Sequence, residues 1–240
     1  MPYENIAAVL ALLRKRLLYL GIAFGLGVII SFPFMPELIR KVKTDLLPEG
    51  ASLIYLQPVE VLMLEFKLSA IFGILCALPL AAYYVYRMYR RVRRGKTSLT
   101  GIFTRLLAIV IVIELFLAGA AYSYFVMMPF FLNFLYQDAL SAGAIAYYSV
   151  HEFIYFIIMT TIIFGLSFEL PVLLVVLARS GIANVGVLSK YRRHAYVILL
   201  LVAAWVTPGP DIFSQMMLAV PFIVLFEAGI IAARVASMVR

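Results

Sequence analysis

Six apolar stretches of this sequence, five of them long and the fifth only 13 residues, are almost free of charged side chains, and this pattern constrains the fold more than any other feature. A helix needs roughly 20 apolar residues to cross the hydrocarbon core of a bilayer. At 65% hydrophobic and 13% charged residues, the chain has too little polar surface to cover a water-soluble globule. The sequence therefore predicts an all-α polytopic membrane protein, a single membrane domain over residues 1–240 with six transmembrane helices. The predicted spans are 17–36, 60–86, 103–128, 150–178, 195–207 and 213–233.

The cationic side chains are concentrated at the termini and in alternate loops. Arg14 and Arg16 precede the first span, seven cations lie between Arg87 and Arg105, and Arg234 and Arg240 close the chain. Cytoplasmic loops of membrane proteins carry such an excess of Lys and Arg. The distribution therefore predicts a multi-pass protein of the cell membrane with both termini in the cytoplasm. It also explains the net charge of +8 as a topology signal rather than as a nucleic-acid surface.

Two of the predicted outer loops have distinct characters. In residues 36–43 the apolar positions recur at helical spacing, which predicts a short amphipathic helix on the outer face. Leu47-Pro48-Glu49-Gly50 is then expected to turn the chain. The third loop, residues 135–149, is rich in Ala, Gly and Ser and is expected to be a solvated connector.

Several short motifs follow one another in a recognisable order. They are Leu13-Arg14-Lys15-Arg16-Leu17, Phe164-Gly165-Leu166-Ser167-Phe168-Glu169-Leu170-Pro171, Gly181-Ile182, Tyr191-Arg192-Arg193, Thr207-Pro208-Gly209-Pro210-Asp211-Ile212-Phe213-Ser214-Gln215, Ala219-Val220-Pro221 and Leu225-Phe226-Glu227. On these motifs the chain resembles the TatC family, the receptor subunit of the twin-arginine protein translocase, with high specificity after residue 164 and patchily before it.

The resemblance implies a curved, cup-like bundle with short fifth and sixth helices. It further implies a protein that binds twin-arginine signal peptides of folded precursors and assembles with the single-span proteins TatA and TatB in a homo- or hetero-oligomer. Transport in this family is driven by the proton-motive force, and the subunit carries no cofactor and cleaves no bond. We therefore expect neither an enzyme nor a metal site.

Two acidic residues lie within predicted spans, where a charged group is costly unless it has a partner or faces a cavity. Glu169 is either a packed structural acid or a polar point in a concave pocket, and the resemblance favours the pocket. Glu114 lies in the third span with no family motif around it. It is either an interhelical hydrogen-bonding group or a second pocket acid.

Three polar residues mark the sixth span. Asp211 stands directly before the span and is expected to cap its helix. The resemblance implies that Gln215 belongs to a patch where partner helices dock. Glu227 is expected to be an acid at the cytoplasmic end of the same helix, paired with Arg234.

The sequence departs from the family where the signal peptide is expected to bind. The family uses acids there, because two guanidinium groups prefer carboxylate partners. Here Leu12 occupies the N-terminal position, and no Asp or Glu occurs between Arg87 and Ile113. Glu4, Arg14 and Arg16 remain as N-terminal candidates for signal contact. The chain is then a divergent receptor whose partner supplies the acids, one that reads a different signal, or a paralogue without the receptor role.

Two other classes of membrane protein are alternatives. A small-molecule transporter is expected to show internal repeats, broken helices or matched intramembrane charges, and the sequence has Glu114 and Glu169 within spans but no visible repeat. An intramembrane enzyme needs a cluster of catalytic residues, but His151, His194 and Cys76 are far apart in the predicted topology.

Overall fold

The structure, a computed structural model, describes residues 2–92, 100–143, 147–180, 184–207 and 212–238. Within them it describes the side chains at 17–78, 80–81, 84, 110–143, 147–179, 184–207 and 212–238. The chain divides into two compact units, the first made of residues 1–45 and 55–98 and the second of residues 46–54 and 99–240.

The first unit is built on two apolar helices, α1 (Pro2–Ser31) and α3 (Glu60–Val92), which pack against each other. Glycine permits this packing, because a Cβ at Gly73 would lie 2.8 Å from the carbonyl oxygen of Phe24. Small residues of this kind let helix backbones approach closely in membrane proteins.

The amphipathic helix predicted after the first span is confirmed as α2, Met35–Leu46, which follows a single 3₁₀ turn at Phe32–Phe34. Its apolar side is buried, with Val42 only 1% exposed. On its polar side, exposed Arg40 pairs with Glu37 at 2.8 Å. The predicted turn is confirmed at Gly50, whose φ of 93° is a left-handed conformation that glycine adopts without strain.

The second unit contains the remaining elements. They are β1 (Ser52–Ile54), α4 (Thr100–Tyr122), α5 (Met128–Ser141), β2 (Tyr147–Ser149), α6 (Val150–Phe168), α7 (Leu170–Ser180), α8 (Val185–Lys190), α9 (Arg192–Val206) and α10 (Ile212–Met238).

The mostly helical fold is confirmed, and five helical segments of the described chain, which overlap five of the predicted spans, are long and apolar enough to cross a membrane: Leu17–Leu46, Glu60–Leu78, Val110–Ser141, Val150–Arg179 and Ile212–Met238. The fifth predicted span is α9, which has only 15 residues and is short, as the sequence predicts. In contrast, α10 has 27 residues and is longer than the short sixth helix that the resemblance implies.

The prediction that residues 135–149 are a connector is largely wrong. A π-helical turn at Ser123–Met127 joins α4 to α5, which continues to Ser141 because Phe131 and Leu132 are buried on one of its faces. Residues 147–149 form β2, which pairs in parallel with β1, Leu53 opposite Tyr148. Burial, together with nearby Tyr136, raises the pKa of Tyr148, so this phenol stays neutral at physiological pH.

The core of the second unit lies where α4 and α10 meet α6. Phe164 of α6 is fully buried, with its ring centroid 4.8 Å from that of Phe222 and 5.7 Å from that of Tyr122. The approach of α4 requires a glycine, because a Cβ at Gly119 would lie 2.7 Å from the carbonyl oxygen of Phe164.

Candidate functional site

Intramembrane polar groups of the second unit

The fourth apolar run is interrupted at Glu169, the residue between α6 and α7. Pro171 has no backbone N–H, so it cannot donate to the carbonyl of Ser167, four residues earlier. The Glu169 backbone N–H instead donates to the carbonyl of Leu166 at 3.1 Å, and the Leu173 N–H donates to the Glu169 carbonyl at 2.9 Å. The local sequence therefore places an acid at a break in an apolar helix.

The side chain of Glu169 is half-buried, and one of its oxygens has no hydrogen-bond partner. Oε1 is enclosed by protein, yet no residue in the described ranges donates to it. An enclosed polar atom without a partner is costly in a protein interior and is uncommon. The geometry therefore leaves Glu169 as an acceptor that can receive a donor from water or from another molecule.

Gln215 of α10 contacts α9 rather than standing free. Its Nε2 donates to the backbone carbonyl of Leu200 at 3.0 Å, and its side chain is half-buried. An amide at this depth can hold two helices together. The predicted role of Gln215 in docking a partner helix remains a prediction.

Glu227 of α10 also binds α9, and the expected pairing with Arg234 is wrong. Its carboxylate pairs with Arg192 at 2.9 Å and accepts a hydrogen bond from the Tyr196 hydroxyl at 2.5 Å. Arg234 lies two turns further along α10, about 10 Å away along the axis. Arg192, in contrast, begins the helix that packs beside Glu227, so it reaches the carboxylate directly.

A pocket of about 280 Å³ opens where the first turns of α6 meet the end of α9. Five of its seven lining residues are aromatic or apolar, and Glu152 is its one acidic residue. Sequence analysis did not identify this pocket, because its two halves are about 50 residues apart and share no motif. Its lining residues are Glu152, Tyr155, Phe156, Met159, Trp205, Val206 and Thr207.

Glu114 differs from these groups because it lies on the surface of α4. The residue is exposed, and so are Ile113 before it and Leu117 one turn after it. Within the part of the chain that the structure describes, no residue forms a hydrogen bond or an ion pair with its carboxylate. Of the two predicted roles for Glu114, a contact between the helices of this chain is therefore not seen among the described residues.

The remaining predicted site residues cannot be placed. The side chains of Glu4, Arg14 and Arg16 lie outside the described residues, although all three belong to α1. Asp211, the predicted cap of α10, also lies outside them. Among the described residues, no group of three or more His, Cys, Asp or Glu side chains is arranged to hold a metal ion.

Comparison with known proteins gives one consistent result. Residues 8–221 match the family described as TatC, Sec-independent protein translocase protein. The chain is similar to the Sec-independent protein translocase protein TatCy of Bacillus subtilis, at 30% identity over 232 residues, covering 95% of this chain and 87% of TatCy. It is also similar to the Sec-independent protein translocase protein TatC of Aquifex aeolicus, at 31% identity over 234 residues, covering 94% and 92% of the two chains.

The fold has a close match among solved structures. A crystal structure described as the twin-arginine translocase receptor TatC aligns with a TM-score of 0.78 at 30% sequence identity. The alignment covers 95% of this chain and 99% of that one.

Proposed function

This chain belongs to the TatC family of Sec-independent protein translocase proteins, and we propose that it is the receptor and scaffold subunit of a twin-arginine translocase. In this role it binds folded precursors through their twin-arginine signal peptides, and the proton-motive force drives their transport. The observation that carries the proposal is the match along nearly the whole chain to a protein described as the twin-arginine translocase receptor.

The break at Glu169 supports the same role from within the molecule. A transport subunit needs polar groups at membrane depth that have no partner within the protein. A passing peptide or water can contact such groups. Glu169 meets this condition, since its side chain is only half-buried and its Oε1 has no donor among the described residues. The carboxylate is therefore proposed to line the part of the membrane domain that meets the cargo.

The two units are proposed to act as one cup-like membrane domain, 1–240, in the plasma membrane, with both termini in the cytoplasm. The basic clusters at Arg14–Arg16 and between Arg87 and Arg105 support this orientation. Because the chain has a single cysteine, a Cys76→Ala variant accepts single reporter cysteines. A membrane-impermeant maleimide added to intact cells is expected to label Ser141→Cys and not Ser98→Cys, and the reverse pattern would contradict the orientation.

Partner helices of the TatA or TatB type are proposed to dock beside α9 and α10, near Gln215. Apolar surface is open on this helix pair, because α9 has only 15 residues and Trp205 near its end is 72% exposed. An apolar helix pair that is partly exposed offers a single-span partner a surface to pack on.

A second candidate function follows from the missing acids. Leu12, and the absence of any Asp or Glu between Arg87 and Ile113, remove the carboxylates expected to bind two arginines. A paralogue that keeps the scaffold and its partner helices but has lost signal recognition also fits these residues.

Site-specific photocrosslinking distinguishes the two functions. A photoreactive residue is placed singly at positions 14, 169 and 215 of the full chain in native membranes, with a twin-arginine precursor or a matched twin-lysine precursor. A receptor is expected to crosslink the twin-arginine precursor from position 14 and to lose that product with the twin-lysine precursor. Single-span products from position 215 with no precursor product indicate the paralogue. No product at any position would contradict both functions.

A further inference from the structure

Glu114 is the only charged residue between Arg105 and Asp138. At the helical rise of 1.5 Å per residue, Arg105 is about 14 Å away along the axis and Asp138 is about 36 Å away. The hydrocarbon core is only about 30 Å thick, so a cation near one of its faces leaves Glu114 well inside the apolar layer. The carboxyl group therefore lies at a depth that hydrocarbon, rather than bulk water or lipid headgroups, occupies outside the protein.

The helix around Glu114 is unpacked in the described chain. Every residue from Val110 to Glu114 is exposed, which is more than one full helical turn. Packing of α4 on α6 begins beyond this turn, where a Cβ at Gly165 would lie 2.7 Å from the ring of Phe116 and a Cβ at Gly119 would lie 2.7 Å from the carbonyl oxygen of Phe164. No described side chain of the second unit therefore covers the face of α4 on which Glu114 lies.

From this placement we infer that α4 around Glu114 is an interaction surface for a transmembrane helix of another protein, which carries a hydrogen-bond donor side chain at the depth of Glu114. A carboxyl group, ionised or protonated, keeps polar atoms that hydrocarbon cannot satisfy. Within the bilayer core a helix is the regular structure that satisfies its own backbone, so the donor must come on a helix. Lys, Arg, His, Asn and Gln side chains supply such donors.

The surrounding surface fits one helix. Ala118 and Ala121 follow Glu114 on the same side of α4 and are exposed, so a partner backbone can approach closely there. Val110 and Leu117, 47% and 60% exposed, supply apolar area around the acid. The contact therefore combines close backbone packing with one polar pair.

A second copy of this chain does not fit this surface. A symmetric dimer through α4 would bring the two Glu114 side chains together at the two-fold axis. Two acids at one site disfavour each other's ionisation, so such a pair has a donor only where one carboxyl keeps its proton, whereas a Lys, Arg, His, Asn or Gln side chain donates to the carboxyl group in either form. The partner is therefore a different chain. The inference does not depend on signal-peptide recognition, which involves other residues.

The test is photocrosslinking from Leu117, one turn from Glu114 on the same side of α4. The full chain carries the photoreactive residue at 117 in native membranes, with Glu114 intact, with Glu114→Gln or with Glu114→Leu. A discrete product with another membrane protein is expected, retained within two-fold by Glu114→Gln and reduced at least five-fold by Glu114→Leu. A probe at exposed Leu166 of α6 is the control, and its products are expected to stay unchanged.

The partner's chemistry is tested in the same assay. Replacing the donor side chain in the captured protein's span with Leu is expected to reduce the Leu117 product at least five-fold, as Glu114→Leu does. The inference is overturned if only lipid is captured, if the product is a second, differently tagged copy of this chain, or if Glu114→Leu leaves the product intact. It is also overturned if the captured span has no donor. Loss of export without any change in the Leu117 product would concern the proposed function and not this surface.

Discussion

Two regions of the second unit carry polar groups on apolar helices, and these groups differ in whether they have partners within the chain. Between α9 and α10, Gln215 donates to the carbonyl of Leu200, and Glu227 binds both Arg192 and Tyr196. Along α4, α6 and α7, Glu114 is exposed, and the enclosed oxygen of Glu169 has no donor among the described residues. In the first region the polar groups bind other groups of the same unit. In the second region they have no partner among the described residues.

Whether a polar side chain has a partner within the chain distinguishes structural from functional residues, even when the two residues are of the same type. Glu169 and Glu227 are both half-buried glutamates on apolar helices, and in sequence they look alike. An internally paired acid is expected to contribute to stability, because breaking its pair leaves the other group unsatisfied. An unpaired acid is expected to contribute to function and little to stability, since its removal frees no partner.

The largest effect is expected from a change that disrupts the packing of α4, which carries Glu114, against α6. Gly119→Leu would force a side chain into the carbonyl of Phe164, 2.7 Å from the new Cβ, and separate α4 from α6. Overpacking of this kind is expected to lower the free energy of unfolding by about 3 kcal/mol. Thermal unfolding in detergent measures the loss.

Gly186→Leu in α8 is the matched control for this change, because a Cβ there meets nothing within 4 Å. Its free energy of unfolding is expected to change by less than about 0.5 kcal/mol. Equal losses in the two variants would show that the approach of α4 to α6 is not tight.

The next effect separates the two half-buried acids. Glu169→Leu is expected to reduce export of a twin-arginine precursor at least ten-fold while thermal stability in detergent stays equal or rises, because an enclosed acceptor without a donor disappears. Glu227→Leu is expected to do the reverse, lowering the free energy of unfolding by about 1 kcal/mol, because Arg192 loses its carboxylate. Similar stability losses in both variants would remove the distinction between the two regions.

Much of this fold was predictable because a helix that crosses a bilayer must be long and apolar, and a sequence displays both properties directly. Apolar runs gave five of the helices, the short fifth run gave α9, and helical spacing in residues 36–43 gave α2. The acid at the break in the fourth run was also predictable, since Glu169 stands two residues before Pro171. These features depend on local composition, which a single sequence displays.

Features that depend on contacts between distant residues were not predictable. Parallel pairing of Leu53 with Tyr148 joins segments of three residues, which carry no local signal. The partner of Glu227 was assigned to Arg234 on its own helix because the packing of α9 on α10 could not be foreseen. Glu114 and Glu169 likewise looked similar until burial distinguished them. The sequence shows which groups are unusual, and packing decides which of them are satisfied.

The smallest change in stability is expected from the ion pair between Arg192 of α9 and Glu227 of α10. Arg192 and Glu227 side chains are 38% and 29% exposed, so solvent screens their attraction, and Arg192→Ala is expected to cost about 1 kcal/mol of stability. Arg234→Ala removes an exposed cation from the same helix as Glu227 and is expected to cost less than about 0.5 kcal/mol.

A double-mutant cycle with Glu227→Gln measures the pairwise interaction energy, which should be present with Arg192 and absent with Arg234. A coupling to Arg234 instead would mean that Glu227 is satisfied within α10, and the contrast between the two regions would then rest on Gln215 alone.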